Sequence, residues 1–150
     1  MKLQLLYGTE TGTAEVLCDD LKAAVDERVD CSIVDMDATK PAVLEGDTFY
    51  ILVSSTTGSG DVPGSAENFY KALTTEKPDL SHVRFAIFGL GDRTFGDTFA
   101  QGSEKIMAAM IACQATMVGE RGIFDASSND MPEDIAIPWL EQLLETHELA

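Results

Sequence analysis

Positive charge is what this sequence has least of. Ten lysines and arginines stand against 26 acids, a formal net charge of −16, and no basic residue lies between Lys2 and Lys22. A surface so acidic repels phosphate backbones and anionic headgroups, so nucleic acid and membranes are excluded as partners. The same field favours fast, salt-sensitive encounters with the basic surface of another protein, or simply keeps a small protein dissolved. Cysteine is also scarce. Cys18, Cys31 and Cys113 are odd in number, far apart and without a CxxC pair, so they suggest neither a disulfide framework nor a zinc site and read as small buried hydrophobes. No apolar run approaches the roughly 18 residues of a membrane span, and "MKLQLLYG" has too short a run for a signal peptide. The expectation is a cytoplasmic protein. The two histidines, His82 and His147, read as solvent-facing.

What is present is a globular composition. With 150 residues, 45% of them hydrophobic, the chain is long enough for one domain with a real core, and nothing argues for more than a monomer. Short apolar β-rich runs alternate with helical patterns throughout. "KLQLLYG" precedes a helical stripe of Val16, Leu17, Leu21, Ala24 and Val25; "CSIVDMD" follows as a second strand. "FYILVSS" is a third, apolar on both faces, and Glu67 to Leu73 makes a short helix. "VRFAIFGLG" is a fourth, before a long helix marked by Phe99, Ile106, Met107, Met110 and Ile111. A fifth strand lies within "ATMVGERGIFDA". Asp130 and Pro132 signal a closing helix with Trp139, Leu140, Leu143 and Leu144 on its core face.

This alternation implies right-handed crossovers and a doubly wound α/β sandwich, a parallel sheet covered on both faces. Ligands in such folds sit at the carboxyl ends of the strands, where the strand order reverses. The loops after strands one, three and four therefore carry the functional reading. The first, "YGTETGTAE", offers hydroxyls, two glycines and a helix N-terminus, enough to hold a phosphate with neutral donors. It is not a triphosphate loop, because Thr13 follows Gly12 where GxxxxGK[ST] needs lysine, and the spacing of Gly8 and Gly12 is not GxGxxG. Asp35 and Asp37 accordingly read as solvated strand-end residues. A receiver domain is excluded too, since Tyr7 and Ser55 occupy the positions where it needs acids.

The second loop, "SSTTGSGDVPGS", is dense in hydroxyls and glycines, suited to backbone hydrogen bonds at the edge of a flat ring. The third, "GLGDRTFGDTF", adds Phe95, which either stacks on such a ring or packs at a helix entry.

With these three motifs in order, the chain resembles the flavodoxin family nearly end to end. "GTETGTAE" is similar to its phosphate loop, "SSTTGSGDVP" to its second flavin loop and "GLGDRTFGDTF" to its third. The fifth strand carries no long insertion, as in short-chain flavodoxins, and the chain resembles MioC-type proteins and the FMN domains of diflavin reductases. The resemblance implies a five-stranded sheet of order 2-1-3-4-5, FMN as cofactor, and single-electron shuttling between redox partner proteins, a carrier rather than a stand-alone enzyme. Carried over by position, Thr9, Glu10, Thr11, Gly12, Thr13 and Ala14 would wrap the phosphate. Ser55, Thr56, Thr57, Gly58, Ser59 and Gly60 would line the inner side of the ring, Leu90, Gly91, Asp92 and Phe95 the outer side, and Asp125 would approach the ribityl chain. Thr57 stands where many relatives have an aromatic, and Phe95 where the usual residue is tyrosine. Carboxylates at Asp61, Asp92 and Asp97 would disfavour an anionic reduced flavin. The alternative of a different class is an NAD(P)H-dependent flavin or quinone reductase; near the three loops it finds only Arg93 as a cation. Arg121, in "VGERG", reads as one half of a strand-end charge pair or as a partner contact, and Trp139 as core.

Overall fold

The computed structural model describes residues 2–9, 12–56, 61–92 and 100–147. Five strand segments run in parallel in the order β2 (Asp30–Asp35), β1 (Lys2–Gly8), β3 (Thr48–Ser54), β4 (Arg84–Gly91) and β5 (Thr116–Met117), and β6 (Gly122–Asp125) also pairs with β4. β3 is buried at every position. That burial explains why "TFYILVS" shows no alternation: both of its faces lie under helices.

Helices α1 (Thr13–Val25) and α4 (Pro132–Thr146) cover one face of the sheet, their side chains meeting Leu3, Leu5, Phe49, Ile51, Val53 and Phe88. Helices α2 (Glu67–Thr75) and α3 (Gln101–Ala112) cover the other, against Leu6, Leu52, Phe85 and Ile87. The alternating β1 residues Leu5 and Leu6 thus feed opposite cores, as a strand period of two requires.

Three sequence expectations need correction. Val16 does not join the core face of α1: it is 61% exposed, and Ala14, Leu17, Cys18, Leu21 and Val25 form the buried stripe. Cys18 lies at i+4 from Ala14 and occupies the row that Val16, two residues along, misses. Ile111 likewise faces out, and Ile106, Ala109 and Met110 carry the buried side of α3. Asp130 does not cap α4. The preceding residue is Met131, whose N–H is accepted by the Asp134 carboxylate at 3.1 Å.

The expected fifth strand is broken in two. Phe85 pairs with Met117 and Phe88 with Gly122, so the chain advances five residues (117 to 122) while β4 advances three (85 to 88). Two extra residues bulge out, at a turn where Gly119 takes φ +75°. A bulge of this kind re-aims the side chains it carries.

Candidate functional site

Strand register places the loop origins side by side. Gly8 pairs with Ser54, Ser54 with Gly89, and Gly91 with Asp125, so the exits of β1, β3, β4 and β6 share one edge of the sheet. β1 lies between β2 and β3, so the crossovers diverge there and leave a crevice at the strand ends.

Cross-links between the loops fix this edge. The Ser55 N–H donates to the Gly8 carbonyl at 3.1 Å, the Thr9 N–H to Ser65 Oγ at 2.7 Å, and the Ser65 N–H to the Thr9 carbonyl at 3.3 Å. The close approach of the Gly64–Ala66 turn demands glycine at position 8, where a Cβ would lie 2.7 Å from that of Ala66. Thr56 Oγ1 accepts the Gly102 N–H at 3.0 Å, tying the second loop to the start of α3. The Ala126 N–H donates to the Gly91 carbonyl at 2.7 Å, so Asp125 is held beside the exit of β4.

At the first loop, Gly12 is the residue before α1 and takes φ +94°, a left-handed conformation that glycine adopts without cost. Its N–H donates to Thr9 Oγ1 at 2.8 Å. The Thr9 and Gly12 amides, expected as phosphate donors, are thus engaged within the protein. The first bond of the helix is Val16 N–H to Gly12 carbonyl, so the amides of Thr13, Ala14 and Glu15 precede the ladder and point out of the N-terminus. That amide trio lies at the positive end of a thirteen-residue helix, and among the described residues that line the groove beside it there is no basic side chain, an arrangement chemically able to receive a single anionic group.

The expected site residues divide plainly. Thr9, Gly12, Thr13, Ala14, Ser55, Thr56, Leu90, Gly91, Asp92 and Asp125 all lie at this edge, on the strand ends and the first turn of α1. Glu10, Thr11, Thr57, Gly58, Ser59, Gly60 and Phe95 lie outside the described residues, as do Arg93 and Asp97. Asp125 also accepts from the Ser127 N–H and hydroxyl, at 2.9 and 2.7 Å. At Asp61, Lys105 Nζ is 3.2 Å from the carboxylate and offsets part of the charge it brings to the edge. Asp35 is half-buried and caps the Met36–Ala38 turn by accepting the Asp37 N–H at 2.9 Å. Asp37 is exposed, but its carboxylate accepts from Asn68 Nδ2 at 3.1 Å, so solvation alone describes neither residue. Tyr7 sits above this acidic strand end, and burial, then Asp35 and Glu15, push its phenol upward from the ordinary range.

Sequence reasoning missed Ser65, Gly102 and Ser103; Arg121, read as half of a charge pair or a partner contact, lies 4.0 Å from Glu104 and also donates to the Ala100 carbonyl and Ser103 Oγ. Ser65 was legible as one of the hydroxyls of the second loop, but its lock on Thr9 spans 56 residues and has no local signature. The cysteines are buried as expected, and burial raises their thiols, Cys31 to about 11. Both histidines are exposed; one ring nitrogen of His82 lies 2.9 Å from the Leu44 carbonyl. Trp139 packs against Phe88 with ring centroids 5.3 Å apart. Among the described residues no cluster of histidine, cysteine and carboxylates could hold a metal, and no helix is long and apolar enough to cross a membrane.

Comparison with known proteins gives the same direction. The flavodoxin family model matches residues 5–139. Protein MioC of Escherichia coli strain K12 is 33% identical over 138 residues, 92% of each chain. In the NADPH-dependent diflavin oxidoreductase 1 of Emericella nidulans, 140 residues are 31% identical, covering 91% of this chain and 21% of that protein. Among solved structures, a cysteine-to-alanine variant of flavodoxin from Pseudomonas aeruginosa superposes with a TM-score of 0.83 and 28% identity over 99% of both chains. Oxidised flavodoxin 1 from Bacillus cereus shares the fold, at a TM-score of 0.81 and 20% identity over 97% of this chain and 98% of that one. Sheet order, the family model and near full-length relatives agree: the chain belongs to the flavodoxin family, the FMN-binding electron-transfer proteins.

Proposed function

We propose that the carboxyl edge of the sheet binds FMN, and that the chain shuttles single electrons between redox partner proteins as a single-domain, monomeric, cytoplasmic carrier and not as a stand-alone enzyme. The observation that carries this reading is the convergence of the β1, β3 and β4 exits at the edge where the amides of Thr13, Ala14 and Glu15 point outward, with no basic side chain among the described residues of these exits. In the proposed site, residues 9–14 hold the phosphate, Ser55 to Gly60 the inner side of the ring, and Leu90, Gly91, Asp92 and Phe95 the outer side, with Asp125 toward the ribityl chain. Bound there, FMN supplies the ring that accepts and releases electrons, and the protein supplies position and electrostatics. The reductase alternative lacks support, because a nicotinamide dinucleotide brings further phosphates, and the described cations nearest the edge, Lys105 and Arg121, are engaged with Asp61 and with Ala100 and Ser103.

Titrating the apoprotein with FMN tests the cofactor. Flavin fluorescence is expected to be quenched to a one-to-one end point; a protein that leaves the fluorescence unchanged ends the proposal. Turnover with NADPH and no partner protein present would favour the reductase instead.

The surface beside the phosphate loop supports a basic partner. A groove of about 560 Å³ runs between the starts of α1 and α4, lined by Gly12, Thr13, Val16, Leu17, Met131 and Pro132. Val16 and Met131, 61% and 57% exposed, form its apolar floor, and Glu15, Asp20 and Glu133 its rim. Desolvation, Glu133 and Asp19 together raise the Asp20 carboxyl, a strain that an incoming lysine or arginine would relieve. Electron transfer from the reduced holoprotein to a basic acceptor such as cytochrome c is expected to slow about tenfold or more between 10 and 300 mM salt, as screening removes the attraction. A rate indifferent to salt would leave the acidic surface with solubility as its sole role.

A further inference from the structure

The opening turns of α1 and α4 expose apolar side chains that neither core uses. Among the described residues five large hydrophobic side chains are exposed, and three of them, Val16, Met131 and Ile135, stand on these two turns. The other two, Val43 and Ile111, lie on separate elements. Scattered singly, such residues need no explanation; gathered beside a groove, they mark a surface that something else covers.

Met131 is held outward on a fixed backbone. Its N–H is accepted by the Asp134 carboxylate at 3.1 Å, its carbonyl accepts the Asp134 N–H at 3.0 Å, and Pro132 follows it. Val16 is β-branched and stiff within a helix, whereas methionine is unbranched and adaptable. Together they give the groove one fixed wall and one that moulds to what enters.

The charges along the two helices change in the same direction. Toward their far ends α1 and α4 are tied by an opposite pair, Arg28 Nη2 lying 3.6 Å from the Glu141 carboxylate. At their starts the charges are alike: Asp20 and Glu133, both half-buried, line one groove, and none of its lining residues is basic. Burial first, then Glu133 and Asp19, push the Asp20 carboxyl above its ordinary range. An apolar floor between two like charges is half of a recognition site, and its complement is a cation beside an apolar group.

We propose that the groove between the starts of α1 and α4 is the anchor site for a redox partner protein: an apolar side chain of the partner seats between Val16 and Met131, and a lysine or arginine next to it lies between Asp20 and Glu133. The inference rests on the electron-carrier reading above. To the long-range attraction of the acidic surface it adds a short-range contact that fixes where the partner sits. Gly12 and Thr13 line the same groove, so a partner anchored here stands at the edge assigned to the cofactor. Attraction between charges sets how often the two proteins meet, and buried apolar contact sets how long they stay.

The two contributions separate in the transfer of one electron from the reduced holoprotein to the ferric haem of cytochrome c, measured at about 10 and 300 mM salt. Val16→Ser and Met131→Ser keep the charge, and each is expected to lower the second-order rate constant about fivefold at both salt concentrations, the scale of one apolar side chain lost from an interface. Asp20→Asn and Glu133→Gln are each expected to lower it about threefold at the low salt concentration and to leave it unchanged at the high one. The Kd for FMN is expected to stay within about twofold of the parent in every variant, as for surface substitutions outside the cofactor site. Serine variants that match the parent at the high salt concentration overturn the proposal, because the groove then supplies field and no contact. Carboxamide variants that match it at the low one overturn it too, because no cation then lies between Asp20 and Glu133. If either serine variant fails to fold, Val16→Thr and Met131→Gln, close in shape but polar, carry the same comparison. A parent that binds no FMN, or whose reduced form leaves cytochrome c oxidised, defeats the carrier reading itself; a parent that transfers electrons, with variants that match it, defeats only this inference.

Discussion

Replacing Phe88 by alanine is expected to destabilise the protein by about 3–5 kcal/mol, the cost of removing a fully buried phenyl ring from a core that cannot collapse around the gap. Phe88 has no exposed surface and faces Trp139 of α4, their rings tilted at 58°. It also roofs Gly122: a Cβ at 122 would collide with the Phe88 ring and lie 2.9 Å from the indole nitrogen of Trp139. The indole in turn donates to the Glu120 carbonyl at 3.2 Å, so the ring stack holds both α4 and the bulge in place. Domains of this size have about 5–15 kcal/mol in total, so the variant should show a large drop in denaturant midpoint with little change in slope. It should also bind FMN more weakly at temperatures where it remains folded, because β6 carries Asp125. A loss under about 1 kcal/mol would mean that the ring is not packed as described.

The architecture could be read from the sequence because its signals are local. "FYILVSS" and "VRFAIFGLG" have the doubly buried composition that only a central parallel strand requires, and their loops break into glycine and hydroxyl residues abruptly. Helix stripes were legible to within one position. Val16 was misassigned because an apolar residue at the edge of a stripe scores like one inside it, and here it floors an exposed groove. The broken fifth strand was not legible: "ATMVGERGIFDA" reads as one run, and the bulge follows from pairing with β4, which no window of the sequence contains. Gly119, with its positive φ, was the one local hint. The same blindness hid Arg121. Sequence could say that a cation lay near a strand end, but its partners are 18 and 21 residues away, and the direction of its side chain depends on two extra residues in the strand. For the cofactor edge, residue types were legible and the allocation of donors was not; that Thr9 spends its N–H on Ser65 appears only once the Gly64–Ala66 turn is packed against Gly8.

Gly102→Ala is expected to lower stability and weaken FMN binding together, against what helix propensity alone would give. In an open helix the change would stabilise by about 1 kcal/mol, since alanine loses less backbone freedom than glycine. Here Gly102 sits in the first turn of α3, where the helix lies directly on the exit of β3. A Cβ would be 2.6 Å from the Ser55 carbonyl oxygen, 2.9 Å from Thr56 Oγ1 and 3.1 Å from Thr56 Cα. Two of those contacts are backbone, which cannot rotate away, so either α3 lifts or the Ser55–Thr56 peptide shifts. Either movement stretches the 3.0 Å bond from the Gly102 N–H to Thr56 Oγ1, the link between the second loop and the start of α3. Overpacking of this kind costs about 1–3 kcal/mol. If the flavin site takes up most of that displacement, the Kd for FMN rises about 10- to 100-fold, measurable by fluorescence quenching at a temperature well below the melting point. The sign of the effect separates two pictures of this edge. A higher melting temperature with unchanged FMN affinity would show that α3 and the second loop are not in contact as described. A loss of both properties in one substitution would mean that the packing of the sheet edge and the shape of the cofactor site are one constraint, set by the absence of a single methyl group.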